Sequence, residues 1–201
     1  MNQGIFGLPQ PRSVPGTLST IWIPGGYYGP LRTGNLSTSA ATSNRMYFHP
    51  LFLGPGVYDA LATQIFGTST GNLRMSIWDA RRDNWPGRRI ATTGDISNGS
   101  TGIKDGIIPR VEISEPTLFW VGLVSQGGTP TLLSSSSNVV NGQMPARASR
   151  CLTSGNIYDM VVSLYLDGIT GDMPAQMPEP STSIAASLTL TQVYARAAIW
   201  Q

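Results

Sequence analysis

Residues Leu118-Phe-Trp-Val-Gly-Leu-Val124 constrain the fold more than any other stretch. Six of these seven are apolar, Gly122 is the only break, and Gly127-Gly128 and Pro130 close the segment. So short a run, rich in aromatic and β-branched residues and bounded by turn formers, predicts a central buried strand. It is too short to cross a bilayer as a helix. Many similar short runs surround it, with few reactive side chains. The pattern points to a rigid all-β molecule, an antiparallel β-sandwich of jelly-roll type, that grips something and is not an enzyme.

Composition supports this class. Ser and Thr number 40 against 13 Lys/Arg and 11 Asp/Glu, and the chain holds 23 Gly and 15 Pro. Hydroxyl-rich surfaces and frequent turns suit short antiparallel strands, and no segment repeats strong helix formers at a period near 3.6. At 201 residues the chain can bury one substantial core. The formal charge is only +2, Lys104 is the sole lysine, and the arginines are scattered apart from Arg81-Arg82 and Arg88-Arg89. Nucleic-acid binding needs a concentrated basic face, so none is expected. Cys151 stands alone and leaves no internal disulfide or cysteine metal cluster. The start, Met1 to Pro9, has neither a basic n-region nor an apolar h-region, so no secretory signal and no membrane insertion are expected. Synthesis in a cytoplasm, followed by assembly into a released particle, is the expected route.

Two parts are expected: an extended Gly/Pro-rich arm and linker over 1–42, and a sandwich over 43–201. The arm carries Pro9, Pro11, Pro15, Pro24 and Pro30, yet apolar residues recur at Ile5, Phe6, Leu8, Val14, Leu18 and Ile21-Trp-Ile23. Proline lowers the entropy lost on docking because φ is already set. An arm of this kind is suited to lie along another surface. Strands are predicted at 45–53, with an edge or bulge at Pro50, and at 57–66, 73–77, 89–96, 107–113, 118–125, 131–135, 160–166 and 188–199. Trp85-Pro86-Gly87 reads as a turn. Tracts 134–150 and 168–183 read as loops, the second as an extended crossing.

The chemical motifs are weak. Gly67-Thr-Ser69-Thr-Gly71 matches a nucleophile elbow by letter, but a strand follows it where a helix is needed, and His49, the only histidine, precedes it. A hairpin turn is the better reading. His49 is expected to be packed and not a ligand. Asp79 and Asp83 could offer oxygens to calcium, but Arg81 and Arg82 between them favour a turn with local ion pairs. Carboxylates at Asp95, Asp105, Glu115, Asp159, Asp167 and Asp172 leave glycan cleavage by a carboxylate pair, or glycan binding, as the alternative function. No catalytic, cofactor or metal residues are assigned. Tyr27, Tyr28 and Trp85 lie in turns or Gly/Pro-rich sequence and are candidates for surface binding, whereas Trp78 and Trp120 lie in strands and belong to the core.

From Tyr27 to Trp200 the pieces Tyr28-Gly-Pro30, Asn44-Arg-Met-Tyr47 with Pro50, Ile77-Trp-Asp79 leading to Pro86-Gly87, and Ser100-Thr-Gly-Ile-Lys104 recur in order. Leu118-Phe-Trp120, Val124-Ser-Gln-Gly-Gly128 and Tyr194-Ala-Arg-Ala197 follow. Together they resemble a β-sandwich domain of small virion structural proteins in tailed bacteriophages, called head fibres, decoration proteins or tail fibres. The basic turn over 81–89 departs from that pattern. The resemblance implies a homo-oligomer, with a trimer favoured. It implies a location on the virion, capsid or tail proteins as partners, host-surface glycan as a further one, and no catalytic residues. Particle docking would then fall to Phe6, Leu8, Val14 and Trp22 of the arm.

Overall fold

The computed structural model describes residues 23–29, 36–135, 163–179, 184–187 and 190–198. Among these there is no helix, and fourteen strands form two seven-stranded antiparallel sheets. Sheet I holds β1 (Tyr27–Tyr28), β2 (Leu36–Ala40), β4 (Gly56–Gly67), β8 (Gly102–Ile113), β10 (Thr131–Ser135), β13 (Leu190–Thr191) and β14 (Tyr194–Ala197). Sheet II holds β3 (Met46–Leu53), β5 (Asn72–Ala80), β6 (Pro86–Thr92), β7 (Ile96–Ser97), β9 (Thr117–Gln126), β11 (Ser163–Leu166) and β12 (Ile184–Ser187). The all-β sandwich expected from the sequence is the fold.

Strand β9 contains the apolar run Leu118–Val124, and it lies at the centre of sheet II between β3 and β5. Its continuous hydrophobicity has a physical cause, because sheet II is buried on both faces. Phe119, Val121 and Leu123 turn inward and pack with Leu51, Leu73, Met75 and Ile77 against Tyr58, Leu61, Ile65 and Leu132 of sheet I. Trp120 and Val124 turn outward into a second core with Met46, Phe48 and Trp78, closed over by Met173 and Met177. Gly122 is where the outward row leaves no room. A Cβ there would stand 2.7 Å from the Tyr47 carbonyl, 2.9 Å from Phe48 Cβ and 3.2 Å from the Trp78 ring.

Several local expectations change. The boundary at 42/43 lies too late, because β1 pairs with β14 and β2 pairs with β10 inside sheet I. The regular pairing begins despite the prolines because Tyr27-Tyr28 and Leu36–Ala40 fall in the gaps between them. Gly67–Gly71 is no hairpin, since β4 and β5 belong to different sheets and the segment arches between the layers. The turn after β5 occupies Arg81–Asn84 and not Trp85–Gly87, closed by an Asn84 N–H to Arg81 carbonyl bond of 2.8 Å, with Asn84 in the left-handed region at φ 61°. Pro86 and Gly87 instead begin β6. Pro50 pairs with Trp120 in a register with β9 that carries no shift, so the expected bulge does not stand there.

Candidate functional site

Two surfaces take up the residues singled out by sequence. The first is the outer face of sheet I. Register places Tyr27, Arg196, Ala60 and Ile107 in one row across β1, β14, β4 and β8. Tyr27 is 42% exposed, and its hydroxyl donates to both oxygens of Asp105, at 3.0 and 2.9 Å. Desolvation and the Asp105 carboxylate together raise the Tyr27 pKa, so the hydroxyl remains a donor. Arg196 bridges Asp105 and Asp59, at 3.0 Å to each. Tyr28 points the other way, half-buried, with its ring edge-on to Tyr58 at 5.8 Å.

The same outer face carries apolar residues that sequence reasoning missed: Ile103 and Ile107 on β8, either side of Asp105, and Phe66 farther along β4, at 60%, 66% and 48% exposure. Ile108, Val111 and Ile113 of the same strand are buried. Between Tyr58 and Ala60, β4 advances two residues while β8 advances four, from Ile107 to Val111. This bulge, which contains Pro109, shifts the alternation, so letter spacing alone cannot assign Ile103 and Ile107 to the outside.

Trp85 requires correction. Expected at an exposed turn tip, it is fully buried. The turn stops one residue earlier, and the indole folds onto Trp120 with ring centres 6.1 Å apart. Residues 173–179 cross over this outer face of sheet II as a strap. The Trp78 indole N–H donates to the Pro174 carbonyl at 3.0 Å, and that of Trp85 to the Pro178 carbonyl at 2.9 Å. Backbone bonds join Arg89 N–H to the Ala175 carbonyl at 2.8 Å and Met177 N–H to the Gly87 carbonyl at 3.0 Å. Two arginines of this basic turn hold the strap: Arg81 pairs with both Glu179 and Asp83, and the Arg89 guanidinium donates to the Met173 carbonyl.

The acids considered for catalysis are largely bound to arginine. Asp95 and Asp172 share Arg74, Asp167 pairs with Arg45, and Asp105 with Arg196. Hydrogen bonding to Arg74 lowers the Asp95 pKa, opposite to the shift a general acid needs. Glu115 is exposed. Asp79 accepts the Arg88 backbone N–H at 2.6 Å, and with the Arg81–Asp83 pair this makes the locally paired turn that was expected. His49 is fully buried, as expected of a packed residue. Its Nδ1 lies 3.1 Å from the Pro50 carbonyl, and its Nε2 lies 3.4 Å from the Val193 N–H. That geometry fits the neutral ring with the proton on Nδ1, and burial lowers its pKa to about 4. Ser69 donates to the Thr70 carbonyl within the arch.

Phe6, Leu8, Val14, Trp22 and Asp159 lie outside the described residues. Compared with known proteins, the chain matches no protein-family model and no curated protein.

Proposed function

We propose that this chain is a bacteriophage virion structural protein on the particle exterior, a head fibre, decoration or tail fibre subunit. The N-terminal arm fastens it, and the sandwich supplies adhesion or host-surface contact. One observation carries the reading: the two broad faces of the sandwich differ. The strap covers the tryptophans of sheet II and leaves only Phe52 and Ile90 among its described large apolar residues exposed, whereas the outer face of sheet I presents Tyr27, Ile103, Ile107 and Phe66. The described chain begins on the rim of that open sheet, at Ile23, four residues before Tyr27. An arm leaving there would bring a neighbouring particle protein to the exposed face. Apolar side chains around a hydrogen-bonded tyrosine and a paired arginine have the composition of a contact surface.

Deleting residues 1–22 tests this. The truncated protein is expected to keep its fold and solubility and to fail to join particles. Incorporation at the normal level would overturn the arm's role. Purified full-length protein that blocks infection would assign it to the tail. Many copies per particle without competition would assign it to the head.

A further inference from the structure

The strap carries a short repeat that the fold reads twice. Residues 172–179 are Asp-Met-Pro-Ala-Gln-Met-Pro-Glu, two Met-Pro dipeptides with an acid at each end. Met173 and Met177 are both buried in the tryptophan trough. Each proline carbonyl receives an indole N–H, Pro174 from Trp78 and Pro178 from Trp85. Each acid receives a guanidinium, Asp172 from Arg74 and Glu179 from Arg81. The readers repeat as well, because an arginine stands four residues before each tryptophan in Arg74…Trp78 and Arg81…Trp85. Main-chain bonds complete the set, with Arg88 and Gln176 forming an antiparallel bridge along β6. Backbone pairing for affinity, with pockets for particular side chains, is how a sheet recognises an added extended peptide.

The attachment of this segment differs from that of the core. It makes a single bridge and not a ladder, and its two end acids reach arginine from largely exposed positions. Its feet stay joined when it lifts, because Leu166 and Ile184 pair across the base. A segment joined by one isolated bridge, with its end ion pairs at exposed acids, opens locally while the rest stays folded.

We infer that the trough is a strand-adding peptide groove filled by the chain's own strap, and that the same segment of a second copy can replace it. Acids on the strap and arginines on the groove make the two complementary in charge, and the indole–carbonyl bonds set the spacing.

The test uses the full chain carrying Met173→Ala and Met177→Ala, which weakens the strap and leaves the groove intact. Amide exchange at position 177 and at Arg89 is expected to quicken about tenfold or more while β9 amides are unchanged. A synthetic peptide of residues 170–180 should then bind saturably, shift tryptophan fluorescence and restore slow exchange. Adding Arg74→Ala and Arg81→Ala should weaken that binding about tenfold or more. A peptide of residues 141–149, which has Met144-Pro145 but no acid, should bind more weakly. Absence of saturable binding to the folded variant, or binding indifferent to both arginines, overturns the inference. Should the variant fail to fold, the unaltered chain decides. Slow exchange at Met177 and Arg89, equal to that of β9, refutes a replaceable strap, and faster exchange there supports it.

Discussion

At residue scale, His49 and Gly122 show how much one position can hold. Buried His49 has a pKa of about 4 against an ordinary value of 6.5, so between those values the unfolded chain binds more protons than the folded one. Stability therefore rises with pH across that window, by roughly 3 kcal/mol at most, and flattens below it with respect to this group. Urea titrations from pH 7 to pH 4 should show the slope, and His49→Gln should remove most of it. Gly122→Ala meets three neighbours at once and should cost about 1–3 kcal/mol in the same assay. An unchanged midpoint would mean that the Tyr47–Phe48 backbone of β3 yields freely. His49 was legible as a packed residue because it sits in an apolar run. Trp85 was misread because its neighbours Pro86 and Gly87 have the letters of a turn, while the chain actually turns at Asn84.

At the scale of elements, the long strands were legible from their own residues. Leu73, Met75 and Ile77 alternate and all three are buried in the inter-sheet core. Strands β1 and β2 were not legible, because prolines around them hide short pairings made with residues far along the chain. The strap was seen as an extended crossing but not as a lid, since nothing local says that its methionines meet tryptophans a hundred residues earlier. Strand β8 has a described neighbour on one side only. Pro109, the bulge, and the charges of Lys104, Asp105, Arg110 and Glu112 guard it against unwanted pairing. Replacing both Ile103 and Ile107 with Lys should change stability by about 0.5 kcal/mol or less. The same double variant should lose binding to particle or host surface, measured by co-sedimentation. Full retention of binding would remove the outer face of sheet I from the contact.

For the whole molecule, two sheets close one inner core and the strap closes a second, so loss of the strap and loss of the fold are separable events. Thermal unfolding of Arg81→Ala, followed by tryptophan fluorescence and by far-ultraviolet circular dichroism, should separate into two transitions. The indole signal is expected to change first, and superimposed curves would show one cooperative unit. The arch at Gly71, from β4 to β5, and the bend at Gly128, from β9 to β10, both cross between the sheets and touch backbone to backbone. A Cβ on Gly71 would lie 2.0 Å from the Gln126 carbonyl, and one on Gly128 would lie 1.9 Å from the Thr70 carbonyl. That end of the molecule therefore cannot accept grafted peptide without parting these two crossings. Gly94 offers the contrast, since a Cβ there would meet nothing within 4 Å. A foreign epitope spliced at that glycine should be carried outward on an undisturbed scaffold, making it the natural place to decorate this protein with a cargo of choice.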